Sequence, residues 1–384
     1  MIAAPMIAGS VIPAGARSVP FFDYPHLFLS EAQQLTAIFQ DVAARGAFIM
    51  QEDLARFERR LAAYIGVKHV VGVGNATDGL VIALRAVGVG PGDEVIFSSH
   101  TMVATAAAIH FAGATPVPVE CGADHLIDPE AVERAVSTRT RAILPTQLNG
   151  RMADMRALEA IAARFGLVIV EDAAQALGAR FAGKSAGSFG AAAAFSFFPA
   201  KTLGCLGDGG AVVTNSDFVH QGVLELHDHG RRADGEIMSW GLNSRLDNLQ
   251  AAILEFRLAS YSAAIDRRRA LARIYGERLG RLEQLLLPPG PFDDAEHFDV
   301  FQNYEIEADR RDDLRAFLQS RQIGSALPWG GKAVHQWPRL NFQVSLPFTE
   351  KVFERVLLLP LNLSLSNDHV HAVCDAIETF YQLG

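Results

Sequence analysis

The sequence predicts an α/β protein with a large domain on a mostly parallel, seven-stranded sheet and a smaller α+β domain after it. Seven short apolar or β-branched runs alternate with stretches of helical periodicity up to residue 214. The runs are too evenly apolar for strands with one wet face, which favours parallel strands covered on both sides. A long helical stretch, from about residue 246 to 282, suits a bridge between domains. We therefore predict domains at residues 1–257 and 258–384.

Each element follows from its local pattern. Two amphipathic helices are predicted within residues 31–65, around the turn Arg45-Gly46. In the large domain, strands are predicted at 69–73, 94–98, 115–119, 142–145, 167–170, 193–197 and 210–214, and helices at 77–87, 101–112, 129–136 and 155–165. In the smaller domain, we predict a strand within 298–307 and helices at 311–321 and 368–381.

Composition narrows the class of protein. Among 384 residues, 49% are hydrophobic and the formal net charge is −9, which argues against nucleic acid or an anionic membrane as the main partner. The three cysteines, Cys121, Cys205 and Cys374, are far apart, so we expect no disulfide framework and a reducing cytoplasm. Residues 1–15 lack the basic start of a signal peptide. No apolar stretch reaches the ~20 residues that span a bilayer.

Three places in the large domain carry candidate chemistry. Asp172 follows the strand at 167–170, where ligands of open α/β sheets bind. It could hold a metal, act as a base, pair with a protonated ring nitrogen, or simply cap a helix. Lys201 follows an apolar run; a buried lysine near another cation becomes nucleophilic, whereas a surface lysine in a Gly-rich loop would be inert. Residues 74–80 join a strand to a helix, which makes an anion site or an ordinary capped helix.

The three candidates fit one cofactor. Pyridoxal 5′-phosphate (PLP) needs a phosphate cradle, a lysine that forms a Schiff base, and a carboxylate beside its pyridine nitrogen. Residues 74–80, Lys201 and Asp172 supply one candidate for each of these requirements. The sequence therefore favours a PLP enzyme over a metal enzyme, and we predict no metal site. His227 and His229, two residues apart, would not share a helical face.

The order of motifs resembles the DegT/DnrJ/EryC1/StrS family, the sugar aminotransferases of fold-type I. The resemblance covers roughly residues 20–380. It is most specific at Glu-Asp-Ala-Ala-Gln-Ala (171–176), Gly-Ser-Phe-Gly (187–190), Phe-Ser-Phe-Phe-Pro (195–199) with Lys201, Gly-Asp-Gly-Gly (207–210), and Gly-Leu-Asn-Ser-Arg-Leu-Asp-Asn-Leu-Gln-Ala-Ala (241–252).

The resemblance implies a role for each matching residue. Lys201 would be the Schiff-base lysine and proton shuttle, and Asp172 the partner of the pyridine nitrogen. The other cofactor residues implied are Gln175 beside the ring oxygen, Ser196 and the helix start Ala76-Thr77 at the phosphate, and Asn243 at the cofactor of a neighbouring subunit. The last role implies a homodimer with shared active sites. Some relatives are dehydratases and have histidine at this position. Lysine at 201 therefore favours transamination.

The implied reaction moves an amino group from L-glutamate to a keto sugar, expected to be a nucleotide-linked 3- or 4-keto-deoxysugar. The positions that depart from the family pattern are mostly ones expected on the acceptor side of the site. Met102 stands where an aromatic ring often stacks on PLP, with His100 as an alternative or Met102 as plain core. The acceptor candidates are His100, His229, Trp329, Lys332 and His335, while Trp329 in the core and Lys332 in solvent are the ordinary alternatives.

Two other functions stay open. One is an aminotransferase that acts on a keto substrate without a nucleotide. The other is a PLP-binding regulator, against which the intact cofactor residues and the absence of a basic surface bias speak.

Overall fold

The computed structural model describes residues 18–382, so the expectation about residues 1–15 concerns a segment outside the described residues. The strands are β1 His69–Val73, β2 Glu94–Ser98, β3 Thr115–Val119, β4 Thr140–Leu144, β5 Val168–Asp172, β6 Arg180–Phe181, β7 Lys184–Ser185, β8 Ala192–Ser196, β9 Gly210–Thr214, β10 Leu285–Leu286, β11 His297–Phe298, β12 Tyr304–Ala308 and β13 Val356–Leu359. The helices are α1 His26–Leu29, α2 Ala32–Arg45, α3 Glu52–Ile65, α4 Ala76–Ala86, α5 Val103–Phe111, α6 Pro129–Ala135, α7 Met155–Phe165, α8 Asp217–His227, α9 Asn248–Leu258, α10 Tyr261–Leu279, α11 Arg311–Ser320, α12 Pro347–Arg355 and α13 Asn367–Gln382.

Seven strands form the central sheet in the order β1-β9-β8-β5-β4-β2-β3. Only β9 runs against its neighbours, β1 and β8, and the other pairs in this sheet are parallel. The predicted α/β class and its mostly parallel seven-stranded sheet are confirmed. Helices cover both faces, and a separate apolar core lies on each: Phe57 and Leu61 of α3 belong to one, Leu80 and Leu84 of α4 to the other.

The C-terminal part builds a smaller α+β unit. Strands β10, β12 and β13 form an antiparallel sheet. Helices α10, α11 and α13 pack against it around a third core that includes Tyr275, Leu314 and Val373. Among the described residues, no helix is long and apolar enough to cross a membrane.

The prediction of one helix from 246 to 282 is wrong. Helix α9 ends at Leu258 and α10 begins at Tyr261, so two residues interrupt the stretch. The Ser260 hydroxyl donates to the Arg257 carbonyl, a local bond that competes with helix continuation. The proposed domain boundary after residue 257 falls beside this break. The strand predicted within 298–307 is also split: Phe301 has a positive φ of 51° between β11 and β12.

Candidate active site

Asp172 is the last residue of β5, and its side chain is buried at the carboxyl edge of the sheet. The Thr105 hydroxyl donates to Asp172 Oδ2 at 2.7 Å, and the Ala174 N–H donates to Oδ1 at 3.2 Å. Burial raises the pKa of Asp172, while these two bonds and the positive charge of Lys201 act to lower it. The carboxylate is thus desolvated, and a further cation beside it would be strongly stabilised.

Lys201 lies in the loop that follows β8, fastened on both sides. Its own N–H donates to the Phe198 carbonyl at 2.8 Å. Gln302 accepts from the Thr202 N–H at 2.8 Å and donates to the Ala200 carbonyl at 2.9 Å. Burial lowers the pKa of Lys201 to about 8, against the opposing charge of Asp172. A larger fraction of the amine is therefore neutral, and nucleophilic, near physiological pH than for a lysine with an ordinary pKa.

The start of α4 lies against the end of β8. Asn75 caps this helix by accepting from the Asp78 N–H at 2.8 Å, so the alternative of a capped helix is confirmed. The N–H groups of Ala76 and Thr77 are the ones in the first turn that neither this cap nor the helix ladder satisfies. Two such N–H groups at the positive end of the helix dipole suit an anion.

Gly210 is what allows this close approach. It pairs with Ser196 across β8 and β9. A Cβ at position 210 would lie 2.7 Å from the carbonyl carbon of Asn75 and 2.8 Å from the Ala76 nitrogen, both backbone atoms that cannot turn aside. The missing side chain thus brings Ser196 and the helix start together. A hydroxyl and two free N–H groups fit a phosphate.

The structure also places the remaining predicted cofactor residues. Gln175 Oε1 accepts from the Asn149 N–H at 2.7 Å, which fixes its amide. Asn243 is exposed and forms a β-bridge with Asp228. His229 lies next to this bridge, with its N–H donating to the Leu242 carbonyl, and it is exposed as well. Asn243 and His229 are therefore both exposed to solvent.

Sequence reasoning missed a chain of three buried hydroxyls behind Asp172. Thr101 Oγ1 lies 2.8 Å from Thr105 Oγ1 and 2.9 Å from Thr146 Oγ1. Since Thr105 donates its proton to Asp172, Thr101 must donate to Thr105, and Thr146 then donates to Thr101. The spacing of Thr101 and Thr105, one helical turn apart, was the available signal.

Sequence reasoning also missed the structural role of Glu171. Its buried carboxylate accepts from the N–H groups of Gly187, Phe189 and Gly190 and from Gln147 Nε2. Asp172, the next residue along the strand, points to the opposite face. Glu171 therefore fastens the loop at residues 187–190, while Asp172 belongs to the site.

A groove of about 420 Å³ lies between the start of α5 and residues 327–340 of the smaller domain. It is lined by Met102, Trp329, Lys332, Trp337 and Arg339, among others. Met102 is exposed into it, and the Lys332 ammonium lies 5.3 Å from the Trp337 ring centroid. The structure thus brings together three residues predicted from sequence and adds a second indole and a second cation.

Two of the histidines predicted to contact the acceptor substrate, His335 and His100, are buried rather than exposed in this groove. The His335 Nδ1 lies 2.7 Å from the Ser99 hydroxyl, and its Nε2 lies 3.1 Å from Glu350 Oε1. Both ring nitrogens are thereby engaged, and His335 fastens the segment that carries Trp329. His100 is enclosed by the rings of His125, Trp329 and Phe353. A substrate role for either histidine stays a prediction.

A lysine, a carboxylate and a phosphate cradle at the carboxyl edge of a parallel sheet define a PLP-dependent enzyme of fold-type I. The DegT/DnrJ/EryC1/StrS aminotransferase family matches residues 30–378. The chain belongs to this family and is an aminotransferase whose cofactor is PLP.

Individual relatives agree in length and fold. The chain is 41% identical over 365 residues to the dTDP-3-amino-3,4,6-trideoxy-alpha-D-glucose transaminase of Streptomyces venezuelae, covering 94% of this chain and 95% of that one. It is 38% identical to the pleiotropic regulatory protein of Geobacillus stearothermophilus, covering 95% and 99%. The crystal structure of S. venezuelae DesV in complex with a ketimine intermediate superposes with a TM-score of 0.90 at 40% identity, covering 94% and 98%.

Proposed function

We propose that the protein transfers the amino group of L-glutamate to the keto group of a nucleotide-linked 3- or 4-keto-deoxysugar, in the biosynthesis of an amino sugar. One observation carries the proposal: Thr101, which is linked through the Thr105 hydroxyl to Asp172, lines a groove that offers two indoles and two cations. Indole faces suit a sugar or a base, and cations suit a diphosphate. The transaminase of S. venezuelae, named for a dTDP sugar, supports the same acceptor class.

Each cofactor residue would have one task. Bound PLP supplies an electron sink for charge that develops at the donor's Cα. The Asp172 carboxylate would hold the pyridine nitrogen in its protonated form, and Thr105 would orient that carboxylate. Ser196, Ala76 and Thr77 would hold the phosphate through one hydroxyl and two N–H groups.

Lys201 would anchor the cofactor and then move the proton. Displaced by the donor amine, its neutral amine would take the proton from the donor's Cα and return it at the cofactor's C4′. With the cofactor bound, the same amine would serve both halves of the transfer, in which the donor would leave as 2-oxoglutarate and its amino group would pass to the keto carbon of the sugar. The pKa of Lys201, lowered to about 8 by burial, suits an amine that must both accept and give a proton.

On the acceptor side, Trp329 would stack on the base or sugar and Lys332 would meet a phosphate oxygen. Trp329 has a φ of 47°, and a bulky side chain in this left-handed region is strained. Such strain persists where the surroundings hold a residue in place for a task. The donor, L-glutamate, rests on the family resemblance alone.

A homodimer with shared sites is part of the proposal. Asn243 is exposed, and two loops beside it present apolar side chains to solvent: Phe48, Ile49 and Met50 in one, and Ile237, Met238 and Trp240 in the other. Clustered apolar and aromatic side chains on a surface are typical of interfaces. A cytoplasmic location is also proposed, supported by the three free, buried cysteines.

A regulatory role is the competing function, since one relative carries that name. The Lys201–Asp172 pair speaks against it, because ligand binding alone does not require an amine with a lowered pKa beside a buried carboxylate.

The test uses purified protein saturated with PLP. Borohydride should fix the cofactor covalently to Lys201, as peptide mapping would show. Lys201→Ala should abolish this label, while Lys184→Ala, a surface lysine that pairs with Glu159, should keep it. Label retained in Lys201→Ala would overturn the anchor assignment.

The same protein is then offered a panel of 3-keto and 4-keto nucleotide sugars, with glutamate while 2-oxoglutarate is measured, or with glutamine while 2-oxoglutaramate is measured. If keto compounds without a nucleotide were turned over, and no nucleotide sugar in the panel were, the proposed acceptor class would be overturned. Light scattering should give the mass of a dimer, and a fully active monomer would contradict the shared site.

A further inference from the structure

Three metal-ligating side chains meet where the two domains touch, outside the site described above. His100 follows β2, His125 lies in the loop after β3, and Glu305 lies on β12 of the smaller domain. One potential ligand atom from each residue lies within 4.8 Å of the others. More than 200 residues separate His100 from Glu305 in the sequence, so no spacing motif signals the group.

The group contains polar atoms without partners. Among residues 18–382, both ring nitrogens of His100 and Oε2 of Glu305 are buried and accept or donate no hydrogen bond. His100 is 1% exposed and Glu305 4%. Nε2 of His100 lies 3.4 Å from Glu305 Oε1, without the alignment of a hydrogen bond. Buried polar groups left unsatisfied are costly, and several at one point indicate a missing partner.

The distances suit a single ion. The edges of a tetrahedron around Zn²⁺ with ligands at about 2.0–2.1 Å are about 3.3 Å long. His125 Nδ1 lies 2.8 Å from Glu305 Oε1, and the corresponding distance from His100 Nε2 is 3.4 Å. The other nitrogen of His125, Nε2, lies 3.0 Å from Glu307 Oε1. A carboxylate behind the far nitrogen is the usual support of a metal-binding histidine.

The backbone around His125 is also held in an unusual conformation. His125 has a φ of 66°, and its N–H donates to the Gly122 carbonyl at 2.9 Å.

A cavity of about 360 Å³ reaches His125 and Glu305, with Asn149 and Asn303 also in its wall. This cavity gives an ion a route of entry and room for a water as fourth ligand.

We propose that His100, His125 and Glu305 bind a divalent transition metal ion, for which Zn²⁺ is the best match. Two imidazoles and one carboxylate exclude Mg²⁺ and Ca²⁺, which prefer all-oxygen ligands. The ion joins the large domain to β12 of the smaller one. It also supports the acceptor groove, because the His100 ring packs edge-on against Trp329 at 5.5 Å. The site revises the expectation from sequence that the protein has no metal site.

A protonated His125 clamped between Glu305 and Glu307 is the arrangement without metal. Its two ring nitrogens lie 2.8 Å from Glu305 Oε1 and 3.0 Å from Glu307 Oε1. A metal at Nδ1 must displace the proton that this nitrogen shares with Glu305.

The experiment uses the PLP-loaded protein without a polyhistidine tag, stripped with a chelator and dialysed against Zn²⁺ or Co²⁺. We expect one ion per chain by elemental analysis, and for Co²⁺ the intense visible bands of a four-coordinate site. His100→Ala and Glu305→Gln should weaken binding at least about 100-fold, and Glu307→Gln about 10- to 100-fold through the loss of its support. His110→Ala, at an exposed histidine, should bind like the parent protein.

Less than one bound ion per chain, or equal binding by His100→Ala and the parent, overturns the proposal. If His100→Ala does not fold, His125→Asn, at the edge of the cavity, replaces it as the deciding variant. Transaminase activity is not the readout, so failure of the metal site and failure of the proposed reaction remain distinguishable.

Discussion

The cofactor side and the acceptor side of this enzyme are built in different ways. On the cofactor side, Asp172 and Ser196 end strands of one sheet, and Ala76 begins a helix. On the acceptor side, Trp329 and Lys332 lie in an irregular segment that His335 fastens to Ser99. Regular elements fix the first set of side chains through backbone hydrogen bonds, whereas loop conformation and contacts between domains fix the second. We infer that the proposed chemistry rests on these regular elements and on the fastened loop that carries Lys201, whereas acceptor selectivity would rest on a segment that loops can vary.

The largest expected effect tests the rigid side. Asp172→Asn removes the negative charge that would keep the pyridine nitrogen protonated, so kcat should decrease about 1000-fold. The amide is nearly isosteric, so PLP should remain bound, as dialysis and absorption would show. Activity within tenfold of the parent enzyme would remove Asp172 from its assigned role.

The second prediction concerns the phosphate cradle. Gly210→Ala places a Cβ within 2.8 Å of backbone atoms of Asn75 and Ala76, so the helix start must move away from Ser196. The dissociation constant for PLP should increase about 10- to 100-fold, the cost of one or two lost hydrogen bonds to a charged phosphate. Gly90→Ala, where a Cβ meets nothing within 4 Å, is the matched control. Equal PLP affinity in the two variants would show that the phosphate does not bind at this helix start.

The third prediction separates the two sides directly. Trp329→Ala should raise KM for the keto sugar about tenfold, the equivalent of one lost stacking contact. The affinity for PLP should stay within twofold, because the ring of Trp329 packs against those of His100 and Phe353, which are not part of the proposed cradle. Phe218→Ala, an exposed aromatic on α8, serves as control. A parallel loss of PLP affinity would show that the two sides are one unit.

The smallest effect is a pH dependence. In the protein without cofactor, only the neutral amine of Lys201 attacks the PLP aldehyde, and its pKa is about 8. Because a lowered pKa makes the neutral form available at lower pH, the association rate should increase about fivefold from pH 7 to 8 and less than twofold from pH 8 to 9. Stopped-flow absorption measures it. A rate that still increases about eightfold between pH 9 and 10 would indicate an amine with an ordinary pKa.

The sequence predicted the rigid side well, for a physical reason. The strands at 94–98 and 210–214 have the predicted bounds, because strands buried on both faces need largely apolar runs, whether they pair parallel, like β2, or antiparallel, like β9. It missed α8 and α12, whose polar faces resemble loop composition, and the two-residue strands β6 and β7, which are too short for any periodicity. The hydroxyl chain through Thr105 and the His100–His125–Glu305 group depend on contacts between distant segments, and local patterns do not encode such contacts.

The adjacent carboxylates Glu171 and Asp172 have a consequence for how this chain tolerates insertion and deletion. Side chains alternate along β5, so a slip of one residue would exchange the two carboxylates. Asp172 would then face the loop at 187–190, and Glu171 the cofactor. Deletion or insertion of one apolar residue upstream in β5 would therefore damage folding and catalysis together, although it would leave the charges of the strand unchanged. In this strand, alignment gaps should be rarer than substitutions.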